Sequence, residues 1–408
     1  MEETMGSTLS TLDPYSIPIE KIDVSNPALF QDDTVGSFFK RLREEDPVHF
    51  CSDSKVGPFW SITKFNDIVD VDSNHAAFSS DASNGGVALE NRMRRNFIAM
   101  DPPKHDEQRK AVSPIVAPPN LRNLEGLIRE RTAAVLDDLP RGTEFDWVKR
   151  VSIDLTTKML ATLFDFPYEE RHLLTEWSDI SVTVPIESDV ERERLLRPCY
   201  DYFGKLWTER QKQPPKADLL SMLAHSDAAK RMDVAEFNGN VLLLIVGGND
   251  TTRNTMTASI LAMHQNPGEL EKLRKNPELI PSMVSETIRW QTPLSHMRRT
   301  ATADVWLRGK HIRKGDKIAM WYLSGNRDDE YIERADEYII DRKNVRQHLS
   351  FGFGIHRCVG NRLAELQLKI LWEELLKRNM TIEVLGPPVR TYSNFIHGYE
   401  SLPVKVSS

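Results

Sequence analysis

From about Pro119 onward, apolar residues recur three and four positions apart over most of the chain, the spacing of an amphipathic helix. The segments LRNLEGLIRERTAAVLDDL, VSIDLTTKMLATLF and LLSMLAHS carry this period. So do EFNGNVLLLIVGGNDTTRNTMTASILAMHQNP and PELIPSMVSETIRWQ. Strand-like runs are short and lie mainly towards the ends: PVHFC, PFWSITKF, ADVWLRGKHIRKGDKIAMWY, and MTIEVLG with LPVKV. The proline clusters DPPKH, APPN and QPPK mark helix boundaries, because proline fits the first turn of a helix and not its middle. No Pro/Gly/Ser-rich linker interrupts the pattern and no βαβ alternation appears. The expectation is mainly α with minor β, in one large domain spanning 1–408 with a loosely ordered segment over 1–20.

Composition narrows this picture only a little. The 408 residues are 40% hydrophobic and 28% charged, as in an ordinary soluble protein. A net charge of −7 gives no reason to expect a nucleic-acid partner. The longest apolar run, Val241 to Val246, falls far short of the roughly 20 residues that span a bilayer. The polar, acidic N-terminus lacks the features of a signal peptide, which predicts a cytoplasmic protein. Cys51, Cys199 and Cys358 are far apart and odd in number, arguing against a disulfide framework or a zinc site with paired cysteines.

Cys358 stands apart from the other two. A lone cysteine is usually a small buried hydrophobe. This one lies in HLSFGFGIHRCVGNRLAELQLKILWEELLKR, just before a helix face marked by Leu363, Leu366, Ile370, Leu371 and Leu375. Unpaired N–H groups and the dipole at a helix N-terminus favour thiolate and lower the thiol pKa. Gly352, Gly354 and Gly360 allow backbone conformations and close approaches that a Cβ would prevent. Such a frame suits a flat macrocycle held against the backbone, with a thiolate on its metal.

FGFGIHRCVG resembles the haem-binding loop of the cytochrome P-450 haem-thiolate monooxygenases, F-x-x-G-x-x-x-C-x-G, with Phe351, Gly354, Cys358 and Gly360 all fitting. The resemblance implies a helix-rich domain with haem b between a long distal helix and the helix after the cysteine. Cys358 would be the axial ligand of the haem iron, with Phe351 and Gly352 against the cofactor.

Three further segments extend the likeness. In IVGGNDTTRN, paired glycines in an apolar helix cost about 1 kcal/mol each relative to alanine. They mark either a helix end followed by an Asp/Thr cap, or a continuous helix distorted by a threonine hydroxyl. In the family this is the oxygen-binding groove: Gly248 admits dioxygen, Thr251 supplies a hydroxyl and Asp250 relays protons. In SETIRW, Glu286 and Arg289 lie three apart, a spacing shared by Glu191/Arg194 and Glu271/Arg274 that reads as a solvated helix pair. The resemblance makes the Glu286–Arg289 copy a buried structural pair with the meander NRDDEYIERADEYIIDR. His105, Arg109, Arg299 and His356 each read alone as surface residues; together they match the cations that hold the haem propionates, with Arg298 competing with Arg299.

No flavin or iron–sulfur motif is present in the sequence, so the resemblance implies electrons from NAD(P)H through a separate ferredoxin reductase and a [2Fe-2S] ferredoxin. Lys110, Arg342, Lys343, Arg357 and Arg362 make the cysteine side locally basic and suited to an acidic partner. The distal and cysteine segments look most like the soluble bacterial alkane hydroxylases that oxidise terminal methyl groups, which implies a monomer acting on a hydrophobic small molecule. Pocket walls by position are Val182, Val184, Ile186, Leu243, Val246, Gly247, Leu294, Met297 and Phe395. Other readings remain open: the same chemistry as ω-hydroxylation of fatty acids or on terpene-like hydrocarbons, a haem-thiolate sensor without oxygenation, and a haem-free cysteine hydrolase using Cys358 with His356 as its base.

Overall fold

The computed structural model describes residues 13–90, 94–183, 186 and 188–407. Helices α1 (Pro27–Gln31), α2 (Val35–Glu45) and α3 (Phe65–Ser73) precede α4 (Lys104–Val112) and α5 (Pro118–Asp137). The middle of the chain forms α6 (Asp154–Phe164), α7 (His172–Val182), α8 (Asp189–Arg210) and α9 (Leu219–His225). After them come α10 (Val234–Gln265), α11 (Pro267–Lys275), α12 (Ile280–Gln291), the single turn α13 (Tyr322–Gly325) and α14 (Asn361–Lys377).

The strands run β1 (Val48–Cys51), β2 (Phe59–Ile62), β3 (Phe78–Ser79), β4 (Glu144–Asp146), β5 (Met297–Ala301) and β6 (Val305–Leu307). Then follow β7 (Lys310–Ile312), β8 (Lys317–Met320), β9 (Thr381–Val384), β10 (Val389–Arg390), β11 (Tyr399–Ser401) and β12 (Pro403–Ser407). The largest sheet has the order β1-β2-β8-β5-β3, and only its β2–β8 pair is parallel. The helix-rich expectation with small sheets holds. Of the segment 1–20 expected to be loose, residues 1–12 lie outside the described residues, while Arg41 on α2 donates to the carbonyls of Pro14 and Ile17.

α10 organises the interior. Asp233 caps it by accepting from the Glu236 N–H, and it continues unbroken for 32 residues through Gly247 and Gly248. The Thr251 hydroxyl donates to the Gly247 carbonyl at 3.0 Å, so the glycine pair marks neither an end nor a fresh start. The first half of α10, with Phe237, Val241, Leu242 and Ile245, packs into a core shared with α6, α8 and α9. The second half, with Met256, Ile260, Leu261 and Met263, joins another core with α12 and α14. α14 likewise divides, Leu363 and Ile370 going to the first core and Leu368, Leu371 and Leu375 to the second. The seam between these cores, at Gly247 to Thr255, is where a cavity opens.

Candidate active site

The cavity encloses about 1560 Å³ of empty space including its mouth. Cys358 lines it, in the loop that leads into α14. The loop is fixed from within, since the Cys358 N–H donates to the Phe351 carbonyl at 2.8 Å. Gly352 and Gly354 adopt φ of +67° and +64°, the left-handed region that glycine occupies without strain.

The sulfur opens into the cavity while protein surrounds it. Burial pushes the thiol pKa up; the Gly360 N–H, Arg109, Arg357 and the Asn361 N–H act in the opposite direction. The helix terminus therefore contributes as expected from the sequence but is outweighed by desolvation, and the net shift is a rise. Neither ring nitrogen of His356 has a hydrogen-bond partner, so no Cys358–His356 pair of the hydrolase kind forms.

Of the four expected cations, Arg109, Arg299 and His356 line the cavity. His105 does not; its ring packs edge-on against His356 with centroids 4.4 Å apart. Burial pushes both histidines below the ordinary imidazole range, so the positive charge comes from the arginines. Arg109 Nη1, His105 Nε2 and both His356 nitrogens are buried without a protein partner, although Arg109 Nη2 donates to the Arg357 carbonyl. Buried donors of this kind call for an acceptor that the protein does not supply.

The choice between the adjacent arginines follows from β5, where consecutive side chains leave opposite faces. Arg298 donates to the carbonyls of Gly85 and Asn84, each at 3.1 Å. Arg299 faces the cavity and pairs with Asp72 at 2.6 Å.

Along the distal wall, α10 presents Leu243, Leu244, Gly247, Gly248, Thr251, Thr252 and Thr255 to the cavity. Gly247 has open space where a Cβ would stand, whereas a Cβ on Gly248 would come 2.6 Å from Leu160 Cδ2. Gly248 therefore also serves the packing of α6 on α10. Asp250 does not line the cavity. It is fully buried, accepts from the Ser178 hydroxyl and pairs at 2.6 Å with Arg253, which also holds Asp179 of α7 at 2.7 Å. Burial raises the Asp250 pKa against the pull of Arg253.

Among the expected pocket residues, Leu243, Gly247, Leu294 and Met297 line the cavity. Val182, Ile186, Val246 and Phe395 stand elsewhere, Val246 against the core around α6 and Phe395 beside His296. Val184 lies outside the described residues. The sequence reading missed Val87, Phe97, Ile98 and Leu244. Stepping by helical period from Thr251 to Gly248, Gly247 and Leu244 selects Leu244 and rejects Val246.

The Glu286–Arg289 pair is buried, with contacts of 2.8 Å. Arg289 also donates to the carbonyls of Asn326, Ala335 and Glu337, and the Ile339 N–H donates to Glu286. Arg342 joins this network on Glu286 and the meander carbonyls, so it adds little to the basic surface expected near the cysteine. Lys110, Lys343, Arg357 and Arg362 are exposed.

A thiol at a helix start beneath a continuous glycine-bearing helix, with unpartnered donors ringing the space between, is a site built for a large anionic planar group. The Cytochrome P450 family profile matches residues 193–384. Linalool 8-monooxygenase from Pseudomonas putida is 34% identical over 405 residues, covering 95% of this chain and 99% of that protein. This chain belongs to the cytochrome P450 family. Among solved P450 structures, CYP153D17 from Sphingomonas sp. PAMC 26605 is 48% identical, with a TM-score of 0.91 over 96% of this chain and 100% of that one. Cytochrome P450-153 from Novosphingobium aromaticivorans is 43% identical, with a TM-score of 0.90 over 94% and 99%. Membership makes the chain a haem-dependent monooxygenase, and the cavity with its thiol and orphaned donors fits the P450 haem. Among the described residues, no helix is long and apolar enough to cross a membrane.

Proposed function

We propose that this P450 is a cytoplasmic, monomeric enzyme that hydroxylates the terminal methyl of medium-chain n-alkanes to give 1-alkanols. The observation that carries the reading is the character of the cavity wall. Val87, Phe97, Ile98, Leu243, Leu244, Leu294 and Met297 offer hydrocarbon and thioether surface. Among the described residues, the lining includes no carboxylate and no lysine, and its charged groups are tied to the cysteine loop. His356 lies in that loop, Arg109 donates to the Arg357 carbonyl, and Arg299 pairs with Asp72, which accepts from the Phe353 N–H. An uncharged chain suits this wall better than one with a carboxylate.

Cys358 would ligate the iron, Arg109, Arg299 and His356 would hold the propionates with His105 packed against His356, and Phe351, Gly352 and Gly248 would border the ring. Bound there, haem supplies oxygen activation and insertion of one oxygen atom into a C–H bond. The Thr251 hydroxyl holds a proton at the distal wall, and Asp250, one residue behind it on α10, would relay protons towards it. A terminal C–H bond is stronger than an internal one, so the walls must hold the chain end-on, each buried methylene contributing about 0.8 kcal/mol. A [2Fe-2S] ferredoxin, reduced by NAD(P)H through its reductase, would dock on the exposed Lys110, Lys343, Arg357 and Arg362.

The likeness to linalool 8-monooxygenase supports a second reading, the same chemistry on a terpene-like hydrocarbon. Titration of the purified protein with octane, a fatty acid and limonene separates the cases. The alkane reading expects a spin-state shift with octane and 1-octanol under turnover with redox partners. Absence of both refutes it.

A further inference from the structure

Asp72, at the C-terminal end of α3, is almost fully buried. Its carboxylate is shared by three segments remote from it in sequence. Oδ1 accepts from Arg299 Nη2 at 2.6 Å. Oδ2 accepts from the Tyr322 hydroxyl and from the Phe353 N–H, each at 2.8 Å. The backbone of α3 completes the contact: a Cβ on Gly354 would stand 2.7 Å from the Asp72 carbonyl oxygen and 3.0 Å from Ser73 Cα. On Gly352 it would stand 3.2 Å from Asp72 Oδ2. The turn that carries the cysteine is thus wrapped around this one residue.

We propose that Asp72 is a positioning residue that fixes, with a single anion, both the sulfur-bearing loop and the Arg299 guanidinium at the cavity. A buried carboxylate persists where charge and hydrogen bonds both compensate it, and Arg299, Tyr322 and Phe353 supply them. Arg299 Nη1 is already engaged, donating to the Arg298 carbonyl at 2.8 Å. Without Asp72, Arg299 loses the protein carboxylate that fixes it and the Phe353 N–H loses its acceptor. The loop and the arginine then both lose their fixed positions. This inference rests on the haem-thiolate site and not on any substrate.

The test compares haem-loaded Asp72→Asn, which offers one oxygen to three donors, with Arg299→Gln. Two readouts apply: the carbonyl spectrum of the reduced protein, which reports the axial sulfur, and the rate of haem transfer to excess apomyoglobin. In Asp72→Asn, haem transfer accelerates by roughly tenfold to a hundredfold, and part of the carbonyl complex loses its sulfur-ligated signature. Arg299→Gln accelerates transfer but keeps the sulfur-ligated spectrum, because Arg299 has no bond to the loop. Wild-type behaviour of Asp72→Asn in both readouts overturns the proposal. So does equal loss of the sulfur signature in the two variants. Should Asp72→Asn yield no folded holoprotein, Tyr322→Phe decides: removing one donor to Oδ2 must shift the carbonyl spectrum in the same direction, and an unchanged spectrum refutes the proposal. Failure to oxidise octane moves neither readout, so the two readings fail separately.

Discussion

Glu286→Gln asks whether burial or spacing gives a Glu–Arg pair its weight. Glu191/Arg194 and Glu286/Arg289 share the same residues three apart, with contacts of 2.6 and 2.8 Å. The first pair has side chains 69% and 44% exposed (Arg, then Glu), the second 1% and 0%. Glu286 also accepts from the Ile339 N–H at 2.8 Å and lies 3.2 Å from Arg342 Nε. The substitution therefore leaves two largely buried guanidiniums without their anion and turns an amide NH₂ towards existing donors. Removing one partner of a buried pair costs about 3–5 kcal/mol. With an unfolding entropy of about 2.1 cal/mol/K per residue over 408 residues, the melting temperature should fall by about 4–6 °C. Scanning calorimetry of the haem-loaded protein at one scan rate measures this, with Glu191→Gln as the control. The control pair sits in water and should melt with the wild type. A Glu286→Gln melt within about 1 °C of wild type, or an equal fall in the control, refutes the reasoning.

Replacing Cys358 with serine should abolish the sulfur-ligated carbonyl spectrum and hydrocarbon oxygenation together; survival of both would show that the sulfur is no ligand. Thr251→Ala should lower product formed per NAD(P)H consumed by about a hundredfold or more while the protein still binds substrate; unchanged coupling would remove Thr251 from proton handling. Stability should fall as pH drops below about 6.5, because burial holds His296 down to about 4 and His348 to about 3. The unfolded chain then binds more protons than the native one, so stability is present above pH 6.5 and is lost towards pH 4, by about 3 kcal/mol for His296. Urea unfolding midpoints that stay level from pH 7.5 to 5 would contradict this.

Features whose signal is local were legible in the chain. The cysteine loop carries its glycines within ten residues, and α10 and α14 show their period over many turns. β5 was hidden, because Arg298, Arg299 and Thr300 are polar yet buried between strands, which no alternation rule anticipates. α7 and α8 were passed over for a similar reason: α8 is strongly charged and carries Pro198 within it. The role of Asp72 was invisible, since its partners lie 227, 250 and 281 residues away. Glu271 also departs from spacing, bonding Lys275 one position beyond Arg274. Pocket residues were half found because a loop supplies Val87 and a single 3₁₀ turn, Phe97–Ala99, supplies Phe97 and Ile98, and neither is long enough to show a period.

The wall and the floor of the cavity come from separate parts of the chain. Its cations and thiol converge on one tightly braced turn, while the hydrocarbon side chains of Val87, Phe97, Ile98, Leu243, Leu244, Leu294 and Met297 come from β5, α10 and the segments before α4 and after α12. Diversification can therefore proceed on one side alone: residues such as Val87, Ile98 or Leu294 are free to change size, trading one greasy guest for another, while the electron-accepting machinery is inherited intact.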